Sequence, residues 1–145
     1  MADRTTVIED LLAAWLAARP AVASDAGGRV YPWEKVPQNG PKPYLTYHRI
    51  TGGRLRSLAG PTTGVSHPLI QIDVWGDYAS VKRIGDAVRQ DLEQVLPQTE
   101  IGGHRVQACI VHNDADDAED PLHGDEATEC RVRLDTTIWF EEQGA

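Results

Sequence analysis

The sequence predicts an α+β domain: a mostly antiparallel β-sheet of about four to five strands with two helices packed on one face. Two observations support this prediction. Two stretches carry apolar residues every three or four positions, and several shorter runs alternate apolar and polar residues. The length of 145 residues fits a single domain, residues 1–145. A hydrophobic content of 41% allows this domain a real core.

Both predicted helices have recognisable ends. Thr6 and Glu9 have the spacing of a capping box, and Pro20 is expected to end the first helix. The second helix is expected over about 79–96, with Pro97 after it. Each helix has one apolar face, made by Ile8, Leu11, Leu12, Trp15 and Leu16 in the first and by Val81, Ile84, Val88, Leu92, Val95 and Leu96 in the second. The small residues of 21–28 predict a linker.

Strand-forming composition is found at five places: 29–31, 44–50, 69–75, about 104–112 and about 128–140. In the third and fifth segments apolar residues occupy every second position, so one face of each strand is predicted to pack on the helices. The opposite face carries mixed charge, and we expect it to meet water or a neighbouring subunit. Its residues are Gln71, Asp73, Arg131, Arg133 and Asp135.

Two mobile loops are predicted, at about 53–67 and 113–127. The first contains Gly, Pro and Thr together with Arg54, Leu55, Arg56 and Leu58, so it is a candidate contact element. The second holds seven carboxylates within 113–126 and is predicted to be a solvated, self-repelling loop.

The acidic charge argues against a nucleic-acid-binding protein. The net charge of −8 disfavours nucleic-acid binding, because phosphate affinity comes mainly from Lys and Arg. The first residues contain no apolar signal region, and no stretch approaches 18 apolar residues, so neither secretion nor a membrane span is expected. Cys109 and Cys130 lack metal-type spacing and are predicted to be buried thiols, with a disulfide left open if their side chains share a face.

No arrangement of residues predicts an enzyme. Nucleophile, zinc and nucleotide-binding motifs are absent from the sequence. The carboxylates near Asp114 do not have the calcium-loop spacing, and His112, Asp114 and His123 would need a fixed geometry to bind a transition metal. We therefore expect no catalytic residue, metal or cofactor. Trp33 in a Pro-rich segment and Trp139 on the polar side of the last strand are instead candidate interface anchors.

Five segments in order carry a family resemblance. Arg29-Val30-Tyr31-Pro32, then 36–40 (VPQNG) and 43–50 (PYLTYHRI), are followed by 70–75 (IQIDVW) and the closing 134–140 (LDTTIWF). This order resembles the tail completion, or tail terminator, family of long-tailed bacteriophages. The acidic insertion between the last two strands departs from the shorter hairpin of that pattern.

The resemblance implies a structural virion protein at the head-proximal end of the tail, made in the host cytoplasm. Its subunits would form a ring, typically a hexamer, that caps the tail tube, stops tube polymerisation and joins tail to head. The implied partners are other copies of the chain, the tail tube protein and a head–tail connector, with genomic DNA passing through the ring without specific binding. A neck or head-closure protein is the alternative, and a small-ligand-binding or hydrolytic α+β domain is a third hypothesis from another class.

Overall fold

A computed structural model describes residues 7–38, 40–52, 54–56, 62–118 and 130–141. The helices are α1 (Ile8–Ala17), α2 (Pro20–Asp25) and α3 (Tyr78–Gln90), and a π-helical segment, Asp91–Val95, continues α3. The strands are β1 (Val30–Pro32), β2 (Tyr44–Thr51), β3 (Arg54–Arg56), β4 (Thr62–Ser66), β5 (Leu69–Gly76), β6 (Glu100–Ile101), β7 (His104–Ala118) and β8 (Cys130–Glu141).

The central part of the sheet has the order β1-β2-β5-β8-β7, and β6 lies against the start of β7. β1 pairs parallel with β2, whereas the other strand pairs are antiparallel. The α+β class and the mostly antiparallel sheet are thus confirmed, but the described residues form a sheet of eight strands rather than four to five. It is larger mainly because β3, β4 and β6 come from segments predicted to be loops or turns.

β2 and β3 form one arm of a long hairpin, and β4 and β5 form the other arm. Ser66 pairs with Phe140 and Leu69 pairs with Thr137, so β4 and β5 keep a single register against β8. Only His67 and Pro68 interrupt this arm. The predicted loop at 53–67 is therefore wrong for 54–56 and 62–66, which are strands. Gly and Pro content indicated a loop, but β8 provides hydrogen-bond partners that a local reading of the sequence does not reveal.

The hydrophobic core lies between the helices and one face of the sheet. From the sheet it receives every second residue of β8, with Val132, Leu134 and Ile138 buried. From the helices it receives Leu12, Leu16, Val22, Val81, Ile84, Val88, Leu92 and Leu96. Each large aliphatic side chain that is fully buried contributes about 1.5–3 kcal/mol relative to its exposed state. The predicted apolar faces of the two long helices are confirmed as core, with Leu11 and Trp15 partly buried against it, but the prediction is wrong for Val95, which is 41% exposed.

The helix ends differ in part from the prediction. Val7 is the N-cap of α1 and makes no side-chain capping bond. Thr6 of the predicted capping box lies outside the described residues. The predicted linker at 21–28 contains α2, which begins with Pro20 in its first turn, where a missing N–H costs little. α3 has a true side-chain cap, because Asp77 Oδ2 accepts a 3.1 Å hydrogen bond from the Ser80 N–H.

β7 extends further than predicted. It continues through Ala118 in register with Cys130 of β8, so residues 113–118 form a strand rather than the start of a loop. Cross-strand backbone pairing outweighs the self-repulsion of the acidic side chains. The rest of the predicted acidic loop, residues 119–127, lies outside the described residues.

The two cysteines are free thiols on neighbouring strands. Cys109 pairs with Ile138, whereas Cys130 pairs with Ala118. Because Cys130 and Ile138 are eight positions apart on β8, the two sulfurs are separated by about 26 Å along the strands. A disulfide needs Cα atoms within about 7 Å, so the register excludes an intramolecular bridge. Cys109 is buried as predicted, but Cys130 is only half-buried.

Candidate assembly surface

The outer face of the sheet is the face that points away from the helices. On β8 it comprises Arg131, Arg133, Asp135, Thr137 and Trp139, which are half-buried and alternate with buried residues. The predicted alternation of this strand is therefore confirmed. Strand geometry aligns these five side chains with residues of β2, β5 and β7, and the resulting surface has three distinct zones.

The first zone is a series of aromatic rings ending in a cation. The rings of Tyr31 and Tyr44 lie 6.0 Å apart, and Tyr44 stacks on Trp75 at 6.4 Å. The guanidinium of Arg131 lies 5.1 Å from the centre of the Trp75 ring, within cation–π distance. Trp75 Nε1 also donates a 2.9 Å hydrogen bond to Thr46 Oγ1. Four strands are thus joined side chain to side chain across the outer face.

Asp73 lies in the middle zone and is only 4% exposed. Gln71 Nε2 donates to both of its carboxylate oxygens, at 2.9 and 3.2 Å. Burial raises the pKa of Asp73, while the hydrogen bond from Gln71 and the nearby side chains of Arg131, His48 and Arg133 act in the opposite direction. The expectation that Asp73 is a surface residue is wrong, because these neighbouring side chains cover it.

A polar row crosses the same zone from one side of the sheet to the other. His48, Gln71, Asp135 and Asn113 are successive register partners on β2, β5, β8 and β7. Asn113 Nδ2 donates a 3.2 Å hydrogen bond to Asp135 Oδ2, and Arg133 Nε lies 3.8 Å from the same oxygen. The middle zone is therefore a mixed-charge network, as the alternating sequence predicted.

The third zone is more apolar. Trp139 stacks on His67 with ring centres 4.6 Å apart. Ile50, at the irregularity of β2, is 44% exposed, and Ile110 on β7 is 48% exposed. Large aliphatic side chains left in water are candidates for burial in a protein contact. The sequence analysis did not single out Ile50 or Ile110, although alternation with the buried Cys109 could have indicated Ile110.

Trp33 lies beside the outer face and is 58% exposed. Its backbone N–H donates a 3.1 Å hydrogen bond to the Tyr47 carbonyl, which fixes the chain just after β1. Its ring centre lies 5.5 Å from that of His48. Trp33 is therefore held at the side of the sheet with much of the indole in water, an arrangement suited to an interface anchor.

Three of the remaining predicted contact residues lie in the hairpin. Arg54, Leu55 and Arg56 form β3, which pairs with β4. Leu58 lies outside the described residues. The structure brings Asp73, Arg131 and Arg133 together, and it places Trp139 at the hairpin end of the outer face and Trp33 beside β2.

A metal site near His112 and Asp114 gains no support from the structure. Within the described ranges, no group of three or more His, Cys, Asp or Glu side chains could hold a metal ion. His112 Nε2 instead lies 2.7 Å from Thr137 Oγ1, and Asp114 lies 3.8 Å from Arg89 Nε. In the same part of the chain, no helix is long and apolar enough to cross a membrane.

Comparison with known proteins agrees with this architecture. The family described as tail completion protein gp17 matches residues 10–141, nearly the whole chain. A solved chain from the virion of a native gene transfer agent particle shares the fold, with a TM-score of 0.66 and 18% identity over 90% of this chain and 93% of that chain. No curated protein sequence matches this chain. The chain therefore belongs to the tail completion protein gp17 family, a family of structural proteins of bacteriophage virions.

Proposed function

We propose that this protein is a tail terminator: a ring-forming subunit at the head-proximal end of the tail that caps the tail tube and joins it to the head. The observation that carries the proposal is the outer face, where charged, aromatic and exposed aliphatic side chains lie together on a sheet whose other side is fully used by the core. Family membership supports a structural rather than an enzymatic role.

The outer face has the composition of a protein contact. Aromatic and Arg side chains are enriched at interface centres, and this surface offers Trp33, Trp139, Arg131 and Arg133. Asp73 contributes through the network around it, because its own carboxylate is buried. We assign Arg54, Leu55 and Arg56 of β3, together with Leu58, to contacts with the tube or with the next subunit.

Charge suits a ring through which DNA passes. A net charge of −8 repels phosphate, so a lumen made by such subunits would bind DNA weakly and without sequence preference. The proposed partners are further copies of the chain, six to a closed ring, together with the tube protein and the head–tail connector.

The test is capping of tail tubes in vitro. Tube subunits of the same particle are polymerised with and without this protein, and tube lengths are measured by negative-stain electron microscopy. We expect shorter tubes of narrower length distribution, each with a ring at one end. Deleting 57–63, which includes the first two residues of β4, should abolish capping while the rest of the domain stays folded, as judged by circular dichroism.

A matched pair of aromatic variants makes the test specific to the outer face. Trp33→Ala should weaken capping, whereas Tyr78→Ala should not, because Tyr78 is 66% exposed but lies at the start of α3. Tubes of unrestricted length in the presence of the unmodified protein would contradict the terminator assignment. Binding to head–connector complexes without any binding to tubes would favour the neck or head-closure alternative.

A further inference from the structure

The segment 70–75 (IQIDVW) places three polar or aromatic side chains on the outer face of β5, namely Gln71, Asp73 and Trp75. Gln71 Nε2 donates to both carboxylate oxygens of Asp73, at 2.9 and 3.2 Å, so both oxygens act as acceptors, as in an ionised carboxylate. Trp75 Nε1 donates a 2.9 Å hydrogen bond to Thr46 Oγ1. A carboxylate and an indole, two positions apart on one strand, are therefore both held in place.

Two arginines of β8 lie opposite this pair. Arg133 is the register partner of Asp73, and Arg131 is the register partner of Trp75. Diagonal neighbours in an antiparallel pair lie about 7–8 Å apart, within reach of long side chains, so both arginines can approach the Asp73 carboxylate. Both of their charges act on this carboxyl group. The Arg131 guanidinium also lies 5.1 Å from the centre of the Trp75 ring, and Arg133 Nε lies 3.8 Å from Asp135 Oδ2.

The charge of Asp73 is costly for stability. The residue is 4% exposed, and burial raises the pKa of its carboxyl group in spite of the Gln71 bond and the surrounding cations. A pKa that is raised in the folded state means that ionisation of the group destabilises the fold. An uncharged side chain of the same shape would avoid this cost. Stability therefore does not account for a carboxylate at this position.

The charge does account for the placement of the arginines. An arginine in water has many rotamers, and a contact that must first order it loses binding free energy. A carboxylate fixed by Gln71 and an indole fixed by Thr46 restrict these rotamers before any partner arrives. The side chain of Arg133 is nevertheless 38% exposed, so its guanidinium still has donors for a partner.

We propose that Asp73 is a positioning residue, which holds Arg131 and Arg133 in the orientation in which they contact a second copy of this chain. A second copy fits these two cations because its net charge of −8 provides an excess of carboxylates. Asp73 itself stays buried beneath the contact. This inference rests on the ring of the proposed function and names the residue that prepares one of its surfaces.

Asp73→Asn tests the proposal, because it removes the charge and keeps the shape. Loss of a carboxylate makes the outer face more positive, so an effect of charge alone would strengthen binding to an acidic partner. Positioning predicts the opposite: self-association at pH 7 should weaken at least about threefold, although the variant is at least as stable as the unmodified chain. Native mass spectrometry at several protein concentrations measures association, and thermal unfolding measures stability. Asp25→Asn is the matched control, because Asp25 pairs with Arg83 on the helix side, and its association should be unchanged.

A second set of variants shows whether Asp73 acts through the two arginines. Arg131→Gln combined with Arg133→Gln should weaken self-association. Adding Asp73→Asn to this pair should then cause no further loss, because the groups that it positions are gone. Circular dichroism confirms that each variant folds. A further loss as large as that in the unmodified chain would overturn the proposal.

Chemical modification provides a readout that does not depend on assembly. In the isolated subunit, phenylglyoxal should modify Arg131 and Arg133 at least about threefold faster in Asp73→Asn, because a guanidinium beside a carboxylate is restrained and stays protonated. Arg83, whose side chain is 58% exposed beside Asp25, should react at an unchanged rate. Mass spectrometry of the peptides measures each rate.

Unchanged modification rates in Asp73→Asn would overturn the proposal. Unchanged or stronger self-association of this variant would also overturn it. If the unmodified protein forms rings that do not cap tubes, the terminator function is wrong and the association measurements still decide the role of Asp73. If it forms no ring, the contact with a second copy is wrong as well.

Discussion

The hydroxyl of Tyr47 on β2 donates a 2.7 Å hydrogen bond to Oδ1 of Asp10 on α1. This contact joins the first helix to the sheet over 37 residues of sequence. Burial, followed by the bond to Asp10, raises the pKa of the Tyr47 hydroxyl, so the group stays protonated and remains a donor. Just after the other end of α1, Arg19 makes a second link, because its Nε lies 3.2 Å from Asp91 Oδ2.

Replacing Tyr47 with phenylalanine tests this link. Tyr47→Phe removes the donor while keeping the buried ring, and we expect the free energy of unfolding to fall by about 1 kcal/mol. Urea unfolding followed by circular dichroism measures the change. Tyr78→Phe is the matched control and should have no measurable effect, since Tyr78 is exposed. Equal effects of the two substitutions would contradict a specific role for the Tyr47–Asp10 bond.

Burial of Cys109 predicts a loss of stability at alkaline pH. Desolvation raises the pKa of this thiol from 9.0 to about 12. Because the unfolded chain releases the proton first, the contribution is fully present below pH 9 and is lost as the pH rises from 9 to about 12. The slope for one proton is at most about 1.4 kcal/mol per pH unit. The unfolding free energy of Cys109→Ala should depend less steeply on pH than that of Cys130→Ala. Parallel curves for the two variants would show that the Cys109 thiol does not cause the loss of stability at alkaline pH.

The two thiols should also differ in reactivity. Cys109 is buried with a raised pKa, whereas Cys130 is half-buried at the start of β8. Because the thiolate is the reactive form, a thiol reagent at neutral pH should modify Cys130 first, and Cys109 only after unfolding in urea. Mass spectrometry of the labelled peptides identifies the modified residue. Rapid modification of Cys109 in the native protein would show that the β7–β8 region opens locally.

The buried carboxyl group of Asp73 predicts a pH dependence of stability in the acidic to neutral range. Its pKa is raised above the ordinary value of 3.8, so it contributes most to stability when protonated, and this contribution declines as the pH rises above 3.8. Asp73→Asn cannot ionise and should become more stable relative to the unmodified chain between pH 4 and 7. Thermal unfolding across this range measures the difference. Asp25→Asn is a control, because Asp25 forms a 3.0 Å ion pair with Arg83. Removing the charge of Asp25 should lower the stability of the protein rather than raise it. A difference between Asp73→Asn and the unmodified chain that does not grow with pH would contradict the assignment.

Gly85 allows α3 to approach β8 closely. A Cβ at this position would lie 2.9 Å from Val132 Cγ1, which is too near for ordinary contact. Alanine favours a helix by up to about 1 kcal/mol over glycine, but overpacking a core costs about 1–3 kcal/mol. We therefore expect Gly85→Ala to lower the free energy of unfolding by about 1 kcal/mol. Gly52→Ala, where a Cβ would meet no atom within 4 Å, should change it little. A stabilising Gly85→Ala would show that the helix can move away from the sheet.

Much of the fold could be predicted because its signals are local. The apolar spacing in α3 and the alternation in β5 and β8 depend on a few neighbouring residues and correctly indicated which side chains form the core. β3, β4 and β6 could not be recognised in this way. Each is short, and its strand geometry depends on pairing with residues far away or across a turn, such as the pairing of Ser66 with Phe140.

The candidate site was predictable only in part for a related reason. Alternation placed Arg131, Arg133 and Trp139 on the outer face, and the Pro-rich context indicated Trp33. It could not indicate that Gln71 and the surrounding cations bury Asp73, or that Tyr31, Tyr44 and Trp75 form one aromatic series. Those relationships require the register between strands, which composition does not contain.

The sequence by itself determined the class of the domain, the apolar faces of its two long helices, the acidic charge and the family resemblance. All of these follow from local periodicity, composition and motif order. The tertiary structure alone decided that 62–66 continues β5 along β8 and that Cys109 and Cys130 are too far apart to bridge. The physical reason is that strand register is set by backbone pairing between residues distant in sequence, so it exists only once the sheet has formed.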